Sequence, residues 1–344
     1  MRKDTNIGPA NTQVLNRRVT ANDVARLAGV SRSAVSRTYT PGASVAQDKR
    51  ERILAVAEHL GYRPNSLAAG LKNNSSNLVA IVTGNLSNHY DSAITANLVK
   101  RLSDIGKWAV VLGDTSGDIN NHEILEVLTY PLDAMIVRAG SINEDTAEKC
   151  MKLNVPLILL GRSRPMAGVD CIGCDNTKGA HIAVSELLRT GRNKIGYIGG
   201  LKKFTSERER HEGFIKALSD AEMAPFALEW ADFSFQGGYE VAMHIIQRTE
   251  KPDALFCCND IMAIGALNAA RNTLGIKVPD DLAIIGFDDI PMASWPCFDL
   301  TTIRNSISDS VDGIMDILEV RFSDPSHSEI LKQIEPMLIQ RSTH

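Results

Sequence analysis

Two arginines that flank a short apolar segment are the most informative candidates for a functional site in this sequence. Arg32 and Arg37 flank the small apolar residues at positions 34–35, which must face a core if the segment is helical, so both arginines are left on the outer side. A guanidinium presents a rigid fork of donors that matches the O6 and N7 acceptors of guanine, which makes both residues candidate readers of DNA bases. The hydroxyl residues among them are candidate phosphate contacts: Ser31, Ser33 and Ser36. The alternative interpretation is an ordinary solvated helix face.

Three short helices that share one apolar core are predicted to position these arginines. Apolar residues recur at helical spacing in three runs: Val24, Leu27 and Ala28; Val30, Ala34 and Val35; Ile53, Val56, Ala57 and Leu60. Thr20 and Asp23 have the form of a capping box at the start of the first helix, Gly29 ends that helix, and Ser31 caps the second. Residues 44–47 are the candidate cap of the third. This spacing is that of a helix-turn-helix motif that binds DNA.

Charge is divided unevenly along the chain. Residues 1–76 carry a net charge of +7 and the remainder carries −11, which gives the stated −4 for the whole chain. A basic head can neutralise phosphates, whereas an acidic body would be repelled by them, so contact with DNA is predicted at one end only. Residues 1–18 are polar and without periodicity, and we predict a disordered tail there.

The rest of the chain alternates short apolar runs with longer amphipathic ones, twice over. The predicted strands are 78–83, 108–112, 134–137 and 157–160, then 195–198, 254–257 and 283–286. The predicted helices are 94–105, 143–153, 178–189, 207–221, 239–248 and 261–274. This alternation predicts an α/β body of two doubly wound subdomains, with a ligand in the cleft between the carboxyl ends of their strands.

Several other kinds of site are not supported by the sequence. Cys171 and Cys174 have CxxC spacing, but residues three apart on a strand face opposite sides, so the thiols cannot jointly bind a metal without a turn. Six cysteines without a preceding secretory signal predict reduced thiols in a cytoplasmic protein. No run is apolar enough to span a membrane, and no phosphate-binding glycine motif is present. We therefore expect no cofactor, no metal and no catalytic centre.

Three motifs resemble the lactose-repressor (LacI/GalR) family of bacterial transcription regulators. They are Val19 to Ala25, Val30 to Arg37, and Gly61 to Lys72, in this order ahead of an α/β body. The resemblance runs from about Val19 to the C-terminus. It implies a homodimer, or a dimer of dimers, whose paired heads bind a near-palindromic DNA operator and whose body binds a small effector.

The resemblance also implies a hinge between head and body. A helix over 65–71 is too short to be stable alone in water, so it should fold only with DNA and a partner hinge. Leu71 would then be a wedge in the minor groove, flanked by Lys72; the alternative is that Leu71 packs on the core of the body. The implied DNA contacts are Thr20, Ser31, Arg32, Ser33, Ser36, Arg37, Arg63, Asn65, Ala68, Leu71 and Lys72.

The body should have a type I periplasmic-binding-protein fold, in which the chain crosses between subdomains three times. The implied crossings are Asp175–Asn176, Thr302–Arg304 and a segment near Ile334, and three crossing strands permit hinge rotation. The predicted division is a tail (1–18), a helix-turn-helix domain (19–63), a hinge (64–76) and an effector-binding and dimerisation domain (77–344). Its N-subdomain is about 77–175 and 304–333, and its C-subdomain about 176–303 and 334–344.

Six residues match positions that commonly bind the effector in this family: Tyr90, Asp175, Arg210, Phe233, Asn259 and Asp288. The fork of Arg210 suits vicinal hydroxyls or a carboxylate, and Asp288 can accept hydroxyl protons, which favours a sugar, polyol or sugar acid over a purine. The structural alternatives are a surface ion pair for Arg210, a turn for Asp288, a helix cap for Asn259 and a core position for Phe233. Two rival classes remain, a solute-binding protein and an enzyme on the same fold. Whether the effector releases or promotes repression is also open.

Overall fold

The chain forms two compact units, Met1–Asn74 and Ser75–His344. The computed structural model describes residues 17–40, 42–64, 76–114, 121–138 and 144–344. Four predicted DNA contacts therefore lie outside the described residues: Asn65, Ala68, Leu71 and Lys72.

Three helices pack around one small core in the first unit. They are α1 (Ala21–Ala28), α2 (Arg32–Thr38) and α3 (Gln47–His59). Val24, Val35 and Ile53 are fully buried between them, as the helix-turn-helix prediction requires. The assignment of Leu27 to this core is wrong, since its side chain is 48% exposed. Successive residues of a helix point about 100° apart around its axis, so the side chain of Leu27 points away from the direction in which its neighbour Ala28 is buried.

Helix ends in the first unit follow the predicted signals, with one exception. The Asp23 carboxylate accepts hydrogen bonds from the backbone N–H of Thr20 at 3.0 Å and from its hydroxyl at 2.7 Å. Gly29 ends α1 with a φ of +65°, and the Ser31 hydroxyl caps α2. The prediction that residues 44–47 cap α3 is wrong: its N-cap is Ala46, and no described side chain accepts a hydrogen bond there. An alanine has no acceptor to offer.

Two sheets of six described strands each form the second unit. The strands are β1 (Leu78–Asn85), β2 (Trp108–Asp114), β3 (Ala134–Arg138), β4 (Leu157–Leu160), β5 (Asp170–Cys174), β6 (Ile195–Gly199), β7 (Ala227–Trp230), β8 (Ala254–Cys257), β9 (Ala283–Asp288), β10 (Thr301–Arg304), β11 (Leu331–Ile334) and β12 (Met337–Ile339). The first sheet has the order β11-β5-β4-β3-β1-β2 and the second β12-β10-β9-β8-β6-β7. Neighbouring strands are parallel, except that β12 runs antiparallel to β10.

Helices cover both faces of the sheets. They are α4 (His89–Asp104), α5 (Asn121–Val127), α6 (Glu144–Lys152), α7 (Asn176–Arg189), α8 (Thr205–Asp220), α9 (Phe235–Ile246), α10 (Asp260–Asn268) and α11 (Ile307–Ser323). Along β1, Val79 and Ile81 join one apolar core while Ala80 and Val82 join another on the opposite face. Burial on both faces is typical of a parallel sheet between helices, and the predicted α/β architecture is confirmed.

The chain passes three times between the two sheets. The passages follow β5 at Cys174, β10 at Arg304 and β11 at Ile334, because the strand after each of them belongs to the other sheet. The predicted subdomain bounds stay a prediction.

The CxxC pair lies on strand β5 and is buried. Cys171 packs in one apolar core and Cys174 in the other, so the two thiols face opposite sides of the sheet as predicted. The described residues contain no cluster of His, Cys, Asp and Glu suited to a metal ion. Within the same residues, no helix combines the length and the apolar character that crossing a membrane requires.

Candidate functional site

The outer face of α2 exposes the predicted DNA contacts of the first unit. Arg32 and Arg37 are exposed, and neither forms an ion pair with a described residue, whereas Arg17 lies 2.9 Å from the carboxylate of Asp23. The other described members of the predicted set are exposed as well: Thr20, Ser31, Ser33, Ser36 and Arg63. Two unpaired guanidinium groups on one helix face can therefore approach an acceptor-rich surface without first breaking an ion pair.

A cavity of about 330 Å³ lies in the second unit, at the carboxyl ends of strands from both sheets. Its lining follows β1, β3, β6, β7, β8 and β9, which is where parallel sheets place their ligands. Most of the predicted effector contacts line it: Tyr90, Arg210, Phe233, Asn259 and Asp288. Asp175 is not among them. Its carboxylate accepts the backbone N–H of Lys178 at 2.9 Å and so caps α7 outside this cavity.

Arg210 is the most constrained side chain of the cavity. It is 4% exposed, and its Nη2 lies 3.0 Å from Oδ1 of Asp288. Its Nε donates to Oδ1 of Asn176 at 2.9 Å, and its guanidinium lies 3.7 Å from the ring centre of Phe287. Burial is the largest single effect and lowers the pKa of Arg210, but the opposing interactions, of which that with the Asp288 carboxylate is the largest, together raise this pKa above its usual value. This burial excludes the surface ion pair that the sequence left open.

The backbone of Asp288 lies in a conformation that L-residues rarely adopt. Its φ is +113°, and the next residue, Asp289, has a φ of +55°. Strain of this kind persists only where the surroundings hold it, and here Arg210 and Asn305 both donate to Oδ1 of Asp288. Asp288 is the last residue of strand β9 and lines the cavity, so the structure shows the cavity position rather than the turn.

Phe233 and Asn259 form another part of the wall. Phe233 packs edge-on against Phe204, with ring centres 5.8 Å apart, and a Cβ on Gly200 would lie 2.2 Å from its ring. Asn259 accepts the backbone N–H of Met262 at 3.0 Å and is therefore the N-cap of α10. The cap alternative for Asn259 is thus what the structure shows, although the residue also lines the cavity.

Four charged residues of the cavity lining were not predicted from the sequence: Asp91, Arg138, Lys203 and Asp232. Asp91 is 6% exposed on the first turn of α4, and its Oδ1 lies 3.2 Å from Nε of Arg138, the last residue of β3. Burial raises the pKa of Asp91, while the Arg138 guanidinium acts in the opposite direction. Arg138 directly follows the predicted strand 134–137. Because ligands bind at the carboxyl ends of parallel strands, this position could have identified Arg138 as a candidate cavity residue.

Chemically, the cavity suits binding rather than catalysis. Arginine and carboxylate groups face each other in two pairs, Arg138 with Asp91 and Arg210 with Asp288, and aromatic rings lie beside them. Such a combination orients a small polar ligand by hydrogen bonds and packs against its apolar face.

Known proteins resemble both units. The model of the family "Bacterial regulatory proteins, lacI family" matches residues 20–65, and that of a "Periplasmic binding protein-like domain" matches residues 184–344. The transcriptional repressor PurR of Haemophilus influenzae is 32% identical over 295 residues, which cover 83% of this chain and 86% of PurR. The transcriptional regulator GalS of Salmonella typhimurium is 30% identical, over 84% of this chain and 86% of GalS. A crystal structure of the lac repressor dimer, bound to operator and the anti-inducer ONPF, matches with a TM-score of 0.83 and 25% identity, over 95% of this chain and 99% of that one.

Proposed function

Because this chain belongs to the lacI family of bacterial regulatory proteins, we propose that a small molecule in the cavity of its body controls the affinity of its head for a DNA operator. The protein is a DNA-binding transcriptional repressor of that family and not an enzyme. Since the head matches the family's own DNA-binding model, the solute-binding alternative is set aside. The observation that carries the proposal is the buried Arg210–Asp288 pair inside the cavity.

The effector is proposed to be a sugar, a polyol or a sugar acid. The guanidinium of Arg210 offers hydrogen-bond donors, and the adjacent carboxylate of Asp288 offers acceptors. Neighbouring hydroxyl groups of a ligand match this arrangement, because each hydroxyl can both donate and accept a hydrogen bond. Phe233 supports this choice because an aromatic ring can pack against the C–H face of a sugar ring.

Control is proposed to act through rotation of the two sheet layers about the three chain passages. A ligand can shift this equilibrium only if it binds one arrangement better than the other, typically by about 1 to 3 kcal/mol, or about 5- to 150-fold in affinity. In a homodimer the shift would bring the two hinges together on DNA or separate them. Leu71 is the proposed wedge of the paired hinges, with Arg32 and Arg37 reading bases.

The test combines two measurements on the full chain. A metabolite collection is first screened for compounds that raise the melting temperature, because a ligand that binds only the folded state stabilises it by mass action. Each such compound is then added to a mobility-shift titration of duplex DNA selected from genomic fragments. The proposal expects at least one compound to change operator affinity about fivefold or more. If every stabilising compound leaves operator affinity unchanged, the proposed control is wrong.

A further inference from the structure

Glu209 is a buried carboxylate that joins the two sheets of the body. It lies on α8, is 3% exposed, and accepts a hydrogen bond at 2.9 Å from Nδ2 of Asn176, the first residue of α7. Both of its oxygens also lie 3.3 Å from Oγ of Ser163, in the loop that follows β4. Helices α7 and α8 pack on the second sheet, whereas β4 belongs to the first. One carboxylate therefore bonds to groups that belong to different sheets.

Arg164 adds a charged contact at the same place. Its Nε lies 3.5 Å from Oε1 of Glu209, and its Nη2 lies 3.0 Å from Oε2 of Glu212, one turn further along α8. The side chain of Arg164 is 59% exposed, so solvent weakens its attraction for both carboxylates. The buried hydrogen bonds to the charged Glu209 are the stronger part. Ser163, Arg164 and Glu209 are called the inter-sheet contact below.

Both sides of the inter-sheet contact are fixed to their own sheet. In the loop after β4, the N–H of Gly161 donates to the carbonyl of Ile172 on β5 at 2.7 Å. On the other side, α7 and α8 pack so closely that a Cβ on Gly213 would lie 2.2 Å from the carbonyl oxygen of Thr177. Because each side is held in this way, a rotation of one sheet against the other must change the distances within the contact.

A continuous chain of hydrogen bonds leads from Glu209 to the proposed effector-binding centre. Asn176 donates to Glu209 through Nδ2 and accepts from Nε of Arg210 through Oδ1, at 2.9 Å in both cases. Nη2 of Arg210 in turn donates to Asp288 at 3.0 Å. All four residues are at most 8% exposed, so water competes little for these bonds. The orientation of Arg210 is therefore tied to the position of Glu209.

We propose that Glu209 is a positioning residue, which holds the two sheets in the arrangement of this structure and, through Asn176, holds Arg210 beside Asp288. This inference rests on the proposed function, because it names the residue that links the cavity to the arrangement of the sheets. A ligand that moves Arg210 then biases the sheets, and a rotation of the sheets alters ligand affinity, since such coupling is reciprocal.

Two native cysteines on β5 can report separation of the sheets. Cys174 is 3% exposed and lines a narrow cavity together with Asn176 and Arg210, where the sheets meet. Cys171 is buried on the opposite face of the same strand. Burial raises the pKa of Cys174 to about 12, so its thiol reacts slowly until it is exposed. Separation of the sheets should expose Cys174 and not Cys171, whereas unfolding exposes both.

The experiment is alkylation of the full chain with iodoacetamide, with the rate at each cysteine resolved by fragment-ion mass spectrometry. Glu209→Ala removes the bonds to both sheets, so it should raise the rate at Cys174 relative to Cys171 about tenfold or more. Glu209→Gln keeps an acceptor for Asn176 and an amide donor for Ser163, so its rate should stay within about threefold of the wild type.

Two further variants keep the test decisive. Ser163→Ala/Arg164→Ala removes the inter-sheet contact from the other side and leaves the bond between Glu209 and Asn176 in place. It should raise the rate at Cys174 about threefold or more. Asp220→Ala removes an exposed carboxylate at the far end of α8, which pairs with His181, and should leave both cysteine rates unchanged.

The inference is overturned if the rise at Cys174 in Glu209→Ala is smaller than this, or if Glu209→Gln reacts as fast as Glu209→Ala. If Glu209→Ala unfolds the chain, so that both cysteines react, Ser163→Ala/Arg164→Ala decides. A selective rise at Cys174 in that variant supports the inference, and any other result overturns it.

Operator titrations of the same variants separate this failure from that of the proposed function. If Glu209→Ala exposes Cys174 selectively but operator affinity is unchanged, the sheets move without controlling the head. That result contradicts the proposed control and supports the role of Glu209. If a stabilising compound alters operator affinity while Cys174 stays protected in Glu209→Ala, the proposed function stands and this inference fails.

Discussion

Nη2 of Arg210 lies 3.0 Å from Oδ1 of Asp288, and this ion pair joins helix α8 to the end of strand β9 inside the cavity. Both residues are nearly buried, at 4% and 8% exposure, so each depends on the other for a charged partner. Removing either one would leave an uncompensated buried charge, which is far more costly than the loss of a surface pair. The pair is thus both a structural element of the cavity and its proposed ligand-binding centre.

Arg210→Lys should therefore weaken the effector response more than it weakens the fold. Lysine keeps the charge beside Asp288 but loses the fork that bonds Asn176 and the carbonyl of Cys258. We expect effector affinity to fall about 10- to 100-fold while operator binding without effector persists. Operator titration against increasing effector measures this.

The matched control is Arg208→Lys, on the same helix but exposed. An unchanged response in Arg210→Lys, or an equal loss in Arg208→Lys, would remove Arg210 from the binding site.

Arg32→Ala and Arg37→Ala should each weaken operator binding by about 1 to 3 kcal/mol and relax base preference at one position. Both side chains are exposed and unpaired among the described residues, so the loss reflects contacts to DNA rather than a loss of folding. Fluorescence anisotropy with operator and single-base variants measures affinity and preference together.

Arg52→Ala removes the same charge from an exposed position of α3. It should reduce affinity evenly for all sequences and by a smaller amount, since only long-range attraction is lost. Equal effects in all three variants would show that α2 does not read bases.

Gly200→Ala should disturb the aromatic wall of the cavity. The added Cβ would lie 2.2 Å from the ring of Phe233, so the ring must move, at a cost of about 1 to 3 kcal/mol in the free energy of unfolding. Urea denaturation measures this cost. Phe233→Leu in the same chain should recover part of it, and strict additivity of the two substitutions would argue against the contact.

Acid stability should depend on Glu186. The pKa of Glu186 is about 2, below its ordinary 4.5. The hydrogen bond from Arg189 has the largest effect and lowers the pKa; burial raises it, and the hydrogen bond with His344 lowers it further. A lowered carboxyl pKa contributes stability that is complete above pH 4.5 and is lost as pH falls towards 2. Because Arg189 is exposed and screened, we expect a contribution of about 2 kcal/mol.

The Glu186→Gln variant should lose this pH dependence of stability. Its free energy of unfolding near pH 7 should be lower than that of the wild type. Urea midpoints measured between pH 7 and pH 2 test it. Parallel curves for both proteins across the acid range would assign the acid sensitivity to other carboxylates.

Strands with an unbroken apolar run could be predicted from the sequence, including β2 at a sheet edge, whereas the edge strands β7, β11 and β12 could not. The predicted runs 157–160 and 254–257 match β4 and β8 at both ends, because an unbroken apolar run has one placement in a parallel sheet. Strand β11 contains Lys332 and Gln333 and lies at an edge of its sheet, where exposure removes the apolar signal.

Site residues that stand in a recognisable motif could be predicted from the sequence, whereas a residue whose role depends on pairing with a distant residue could not. Arg210 and Asp288 stand in recognisable motifs, so they could be named before their 3.0 Å contact was known. Asp91 shows nothing unusual in the sequence, because its role depends on burial and on Arg138, which lies far along the chain. Conversely, Asp175 matched a motif and yet lies outside the cavity, as the cap of α7.

The central claim is that a ligand bound in the cavity controls the affinity of the helix-turn-helix head for DNA. The most direct measurement is an anisotropy titration of the full chain with a labelled fragment selected from genomic DNA, repeated with and without a compound that binds the cavity. We predict preferential binding of that fragment over random duplex, and a change of about 5- to 150-fold when the compound is present. Equal affinity for selected and random duplex, unaltered by any compound that binds the cavity, would contradict the account.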